Sequence, residues 1–148
     1  MRDLLTGTTI KEQTWEASTW YEQDPERLRI EKKVMKERFP QFSIKIHGEE
    51  LFWEGTLRSN SNNRYEVAIF YPNDYPYSAP EPYITDPDIT QYNPPHIYAN
   101  GQLCVFEQTD GTWERKSTAA TMVTLIAPWI GAFEHWQETG YWPGPEAD

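Results

Sequence analysis

Phe42-Ser43-Ile44-Lys45-Ile46-His47 alternates apolar and polar side chains along its whole length, which is the two-residue period of a strand with one face on a core. Gly48 marks a turn after it. Leu51 to Leu57 resumes the strand character, and Arg64 to Tyr71 does so again beyond the loop Asn60-Ser61-Asn62-Asn63. The three segments read as an antiparallel meander. Past Tyr71 the texture changes, because Pro72, Pro76, Pro80, Pro82, Pro87, Pro94 and Pro95 forbid a continuous ladder. Only Glu81 to Thr85 predicts a fourth, short strand.

Helical patterns flank this sheet. Upstream, Asp24-Pro25-Glu26 supplies a capping carboxylate and a first-turn proline, predicting a helix that runs to Phe39 and stops at Pro40. Leu28, Val34, Met35 and Phe39 form its apolar stripe, while Arg27, Arg29, Lys32, Lys33, Lys36 and Arg38 occupy much of the remaining surface. This face reads either as solvated charge or as a docking surface for an acidic partner. Downstream, Asn100-Gly101 signals a tight turn, from which Gln102 to Phe106 departs as an extended, mostly apolar run. Ser117 or Thr118 is placed to cap a second helix with the inner stripe Met122, Leu125, Ile126, Trp129, Ile130, Phe133 and Trp136. Pro128 should kink that helix, Gly140 should end it, and Tyr141-Trp142-Pro143-Gly144-Pro145 should pack back through its aromatics. The order is that of an α+β domain over residues 24–148, preceded by an arm, residues 1–23, that lays Leu4, Leu5, Ile10, Trp15, Trp20 and Tyr21 on the domain or on a partner.

Composition narrows the function. With 13 basic and 23 acidic side chains among 148 residues, the formal charge is -10, which repels phosphate backbones and anionic lipid. Nucleic acid and membrane surfaces are therefore poor partners. An aromatic fraction of 15% predicts an aromatic core. His47, His96 and His135 are too far apart for the usual zinc-ligand spacings, and no Gly-rich phosphate loop is present, so neither metal nor nucleotide cofactor is expected. A single cysteine suits a reducing compartment, and the N-terminus lacks a signal peptide's apolar run. The expectation is a soluble cytoplasmic protein.

Between Leu103 and Val105, Cys104 reads by composition alone as an inert buried thiol. Its surroundings point elsewhere. Phe70-Tyr71-Pro72-Asn73-Asp74-Tyr75-Pro76-Tyr77-Ser78-Ala79-Pro80 is followed by Asn100-Gly101-Gln102-Leu103-Cys104-Val105, then by Trp113 and Thr118. In this order, over residues 24–139 and after a basic first helix, these landmarks resemble the ubiquitin-conjugating enzyme family. The resemblance implies that fold: an N-terminal helix, a four-stranded antiparallel meander, an active-site loop and a central core helix. It also implies that Cys104 accepts a ubiquitin-like protein's C-terminal carboxyl as a thioester and passes it to an amine. Arg27, Arg29, Lys32, Lys33 and Lys36 are then expected to dock the activating enzyme or another acyl donor.

Two departures from the eukaryotic pattern matter. Where eukaryotic members read His-Pro-Asn, this chain has Pro94-Pro95-His96, so His96 stands in the place of the oxyanion-supporting Asn. An imidazole can donate to an oxyanion and can move a proton near neutral pH; alternatively His96 only ties the loop to a backbone carbonyl. The two helices that follow the core helix in eukaryotic members are not expected here. Both features resemble the family's bacterial branch, found in anti-phage operons for cyclic-oligonucleotide signalling (CBASS) or for ubiquitin-like conjugation. In the signalling type, the acyl donor implied is the C-terminus of a cyclic-GMP-AMP-synthase-like nucleotidyltransferase. Asn100 and His135 are accessory candidates, each with a plainer reading as turn and helix-end residue. A second functional reading is a non-catalytic module of the same fold that presents such partners, although the family's inactive variants lack the cysteine. A ligand-binding α+β domain unrelated to conjugation is the third, and it must explain each landmark separately.

Overall fold

Four strands lie side by side in chain order, β1 (Ser43–His47), β2 (Glu50–Arg58), β3 (Arg64–Phe70) and β4 (Glu81–Asp86), every neighbouring pair antiparallel. This computed structural model describes residues 18–106 and 111–144. The period-two pattern decides the faces: Leu51 and Trp53 of β2 and Val67 and Ile69 of β3 are buried, while Phe52 and Phe70, paired across the strands, stack on the other side at 4.6 Å. At Gly55 a Cβ would lie 2.6 Å from the Phe42 ring, so glycine is what lets that buried ring press against β2.

The helices are α1 (Trp20–Gln23), α2 (Pro25–Arg38) and α3 (Ala119–Thr139). Asp24 accepts the Arg27 amide at 3.1 Å and Pro25 fills the first turn of α2, as the sequence predicts. Met122, Val123, Ile126, Trp129, Ile130 and Phe133 of α3 share one core with the inner face of the sheet, each large apolar side chain contributing about 1.5–3 kcal/mol by leaving water. Leu125 and Trp136 are only partly buried, at the margins of the predicted stripe. The helix runs unbroken through Pro128, which is exposed. Gly140, at φ 83°, ends it, and its amide donates to the Trp136 carbonyl at 2.8 Å. No helix follows α3 among the described residues. No helix among them is long and apolar enough to cross a membrane.

Of the upstream aromatics, Trp20 is buried against Tyr71 and Tyr75, at 4.9 and 4.8 Å between ring centres, while Tyr21 donates its hydroxyl to the Glu49 carbonyl at 3.0 Å. Leu4, Leu5, Ile10 and Trp15 lie outside the described residues. The run Gln102 to Phe106 is not a strand; only Leu103 makes a bridge, to Ile97. The prolines at 94 and 95 leave the neighbouring segment too few amide donors for a longer ladder.

The helix stripes leave out a buried polar network centred on Glu31. Glu31 of α2 is fully buried. Its Oε1 accepts the Tyr71 hydroxyl at 2.7 Å and the Ala119 amide at 2.9 Å, and its Oε2 accepts Arg27 Nε at 3.0 Å and the Tyr75 hydroxyl. The Tyr71 hydroxyl in turn accepts Trp53 Nε1 at 2.8 Å. Arg27 continues to the carbonyls of Arg115, at 2.6 Å, and Ser117. Burial first, and the Glu31 charge second, push the Tyr71 and Tyr75 hydroxyls well above the usual tyrosine range, so both stay protonated donors. Thr118 is the N-cap of α3, as expected, with its amide donating to Thr121 Oγ1 at 3.4 Å, and the first amide of the helix donates to Glu31 from another helix.

Removing Glu31 leaves a partly buried guanidinium, two hydroxyls and a helix amide without this shared acceptor. Glu31→Ala should cost about 3–5 kcal/mol in urea unfolding, and Glu31→Gln measurably less because an amide oxygen still accepts. Equal stability of Glu31→Ala and the parent would show that the network is energetically idle.

Candidate active site

The chain reaches the thiol through a small closed turn. Asn93 and His96 hold left-handed backbone at φ 51° and 60°, a region where Asn and His are enriched among side-chain-bearing residues. Tyr98 donates its amide to the Gln102 carbonyl at 2.8 Å, Gly101 donates to Tyr98 at 2.9 Å, and Asn100 Oδ1 accepts the Gln102 amide at 3.0 Å. Leu103, 1% exposed, anchors the return leg, and its amide donates to the carbonyl of Pro82 in β4 at 2.9 Å. Cys104 follows, half-buried, with no disulfide partner. The deep residue is thus the leucine, and the thiol one position later meets the surface.

His96 and Cys104 are joined through the backbone. The Cys104 amide donates to the His96 carbonyl at 3.0 Å, and Trp129 Nε1 of α3 donates to the same oxygen at 3.0 Å. Cys104 Sγ lies 3.9 Å from the Phe106 carbonyl, within reach of a weak S–H donor. Both side chains line one open groove of about 290 Å³, with Val105, Phe106, Leu125, Pro128, Trp129, Ala132, Trp142 and Pro143. Trp142 closes one side: its ring lies 4.9 Å from the His96 imidazole and 5.3 Å from Trp129. The expected return of the tail is therefore made by Trp142, while Tyr141 is 77% exposed.

The remaining candidates are spread over the molecule. Asn100 does not line this groove; its Nδ2 reaches the Tyr83 hydroxyl at 3.4 Å and its Oδ1 closes the turn, so the plainer turn reading describes its place. His135 is exposed and also outside the groove lining, with its carbonyl accepting the Thr139 hydroxyl at 2.9 Å near the helix end. On α2, Arg27 is partly buried: Glu31 draws its guanidinium inward, where the Arg115 and Ser117 carbonyls complete its hydrogen bonds. Arg29, Lys32, Lys33 and Lys36 remain exposed; Arg29 pairs with Glu26, Lys33 pairs with Glu37 at 2.7 Å, and Lys32 and Lys36 make no ion pair among the described residues. Exposed pairs of this kind hold their charges only weakly.

Trp113 and the proline-rich segment support the loop and take no part in the groove. Trp113 Nε1 donates to the Pro76 carbonyl at 3.0 Å, and its ring packs 5.8 Å from Tyr75. Sequence reading assigned Trp129 to the core but missed its hydrogen bond to His96, for which a lone indole in a helix stripe gives no signal. No cluster of metal-binding side chains occurs among the described residues.

A comparison with protein families matches residues 31–148 to the model of the Type II CBASS E2 protein, a span that holds the sheet, His96, Cys104 and α3. The chain belongs to the Type II CBASS E2 family. Membership places it among the conjugation-related proteins of CBASS antiviral defence, with an E2-like role and partners within that system. No curated protein matches it.

The half-buried position of Cys104 in an open groove has a direct consequence for this E2-like protein. Iodoacetamide should alkylate the folded protein at its single thiol, at a rate comparable with that in urea, as followed by intact mass. Protection until unfolding would mean that the thiol is sealed.

Proposed function

We propose that this protein is a cysteine acyl carrier, taking the C-terminal carboxyl of a ubiquitin-like protein or of a cyclic-GMP-AMP-synthase-like nucleotidyltransferase as a thioester and delivering it to an amine. One observation carries the reading: within a chain of the E2-like family, the single thiol stands partly exposed in a groove that also receives a histidine side chain. A binding module without chemistry has no use for that pairing.

In the loading step the Cys104 thiolate adds to the carbonyl carbon of the incoming activated carboxyl, and negative charge moves onto the carbonyl oxygen. Collapse of the adduct re-forms the carbonyl and expels the donor's leaving group, a thiolate if an activating enzyme supplies the acyl group. In the transfer step an amine nitrogen adds to the thioester carbon, loses a proton, and Cys104 leaves as thiolate. His96 serves at the oxygen, donating a hydrogen bond as charge develops there. Its left-handed backbone and the two hydrogen bonds to its carbonyl fix where the ring begins, and the Trp142 ring packs against it at a tilt of 47°. The same left-handed conformation suits asparagine, which accounts physically for the exchange of the two residues at this place. No cofactor is needed for either step.

The approach of the partner is a separate matter of long-range charge. The exposed cations Arg29, Lys32, Lys33 and Lys36 stand together on α2 in a chain of net charge -10, so they offer an acidic protein surface a local attraction that the rest of the molecule opposes.

Expression with the neighbouring operon proteins should yield an adduct, visible by intact mass and non-reducing gel, that thiols cleave and Cys104→Ala abolishes; Cys104→Ser should trap an oxyester stable to reductant. Absence of any Cys104-dependent adduct overturns the carrier reading. His96→Ala should lower transfer from the loaded thiol by about 10²-fold with little change in thermal midpoint, and His96→Asn should restore part of it. Reversing Lys32, Lys33 and Lys36 to Glu should slow loading, by a factor that shrinks as salt rises, while the melting curve stays unchanged. Loading at the parent rate would remove that face from the docking account.

A further inference from the structure

The groove beside Cys104 is chemically lopsided. Among its described lining residues, Val105, Phe106, Leu125, Pro128, Trp129, Ala132, Trp142 and Pro143 are apolar, and His96 is the only ionisable side chain besides the thiol. No carboxylate and no amine stands among them, although acidic and basic side chains cover much of the rest of the chain. One wall is α3 and the other is the segment after it. That segment is held by short local bonds: Gly140 turns the chain in left-handed backbone, the Tyr141 amide donates to Thr139 Oγ1 at 3.1 Å, and the Trp142 ring seats against Trp129 and His96.

We propose that this groove is a specificity pocket for the residues just before the acyl donor's reacting carboxyl, and that Trp142 makes it select uncharged, apolar side chains there. The inference rests on the carrier reading above and goes beyond it by naming the chemistry of the donor's end. A chain whose carboxyl carbon is bonded to Sγ must run away from Cys104, and this groove is a concavity of suitable size lined by that residue. An apolar side chain in it displaces water from Trp142, Trp129, Leu125 and Pro128, whereas an ammonium would lose its water with no described carboxylate to pair it and a carboxylate would meet only the His96 imidazole. Trp142 is the specificity-determining residue because it forms the wall that α3 does not. Without its ring, the groove opens to solvent on that side, and a charged side chain keeps its hydration.

The test uses three synthetic peptide thioesters as donors to the folded full chain: acetyl-Leu-Leu-Gly, acetyl-Asp-Asp-Gly and acetyl-Lys-Lys-Gly. In each the Cys104 thiolate displaces the small thiol leaving group, and loading is read by intact mass, normalised to the iodoacetamide rate of the same variant. The parent should load the Leu probe about tenfold or more faster than either charged probe. Both charge signs are needed, because the long-range field of an acidic protein favours the Lys probe and disfavours the Asp probe, whereas the groove disfavours both. Trp142→Ala should bring the three rates to within a few-fold of each other, and Trp142→Phe should keep the preference. Equal loading of all three probes by the parent, a preference that merely follows charge sign, or a preference untouched by Trp142→Ala each overturns the pocket while leaving the carrier intact. Failure of every probe to load a thiol that iodoacetamide still alkylates overturns the carrier reading and the pocket with it.

Discussion

A single buried carboxylate organises the region from which the site hangs. Glu31 sits where α2, the tyrosines that follow β3 and the first turn of α3 converge, and each of them gives it a donor. A charge in such a place costs several kcal/mol in lost hydration, so the arrangement is stable only when its lone pairs are filled together. That requirement is what makes it directional: α3 must begin where the Ala119 amide meets Glu31. Once the start is fixed, helix geometry fixes the rest, and Trp129 arrives under the His96 carbonyl about three turns further on. A second tie, Glu134 with the Tyr65 hydroxyl at 2.6 Å and Asn63 at 2.9 Å, holds the later part of the same helix to the start of β3. Burial works against the Glu134 charge, yet these hydrogen bonds outweigh it and hold its carboxyl below the usual glutamate range.

His96 then belongs to two systems at once. Its backbone is a structural node, with a carbonyl shared by the Cys104 amide and the Trp129 indole. Its side chain belongs to the groove. Of the two readings that the sequence left open, the loop tether rests on the backbone carbonyl and the proposed catalytic help would rest on the ring. Truncating the ring leaves the carbonyl and its two bonds in place, so the ring can be removed with the tether retained.

The sheet was legible in the sequence because its signal is local. Alternation over β1 to β3 placed each strand within a residue or two of its observed bounds, and the capping pattern at Asp24-Pro25 did the same for α2. The thiol and His96 were legible through the order of motifs. The Glu31 network was not, although a trace of it was present: residue 31 falls three positions after Leu28 and four before Met35, so a carboxylate occupies the apolar stripe with Arg27 one turn upstream. Its acceptance of tyrosines 40 and 44 residues away depends on tertiary packing that no local period encodes. The same limit hid the inward turn of Arg27, which shares a helix and a charge with its neighbours and differs from them in pairing with Glu31. Trp142 illustrates the converse, since an aromatic after a helix-ending glycine suggests that the tail returns but not which side chain it covers.

Two surfaces of opposite character now divide the recognition problem. On the proposed docking role, cations on α2 act over about the screening length of the solution, near 8–10 Å at physiological salt, and so would affect how fast a partner arrives and which way it faces. The groove acts only on contact, through water released from apolar walls and the cost of stranding a charge. A partner with an acidic face and an apolar end satisfies both at once; one carrying its acidic residues into the end itself would be drawn to the protein and then refused at the thiol. Because attraction depends on salt and exclusion from the groove does not, ionic strength separates the two contributions within one protein, without altering a residue of either surface.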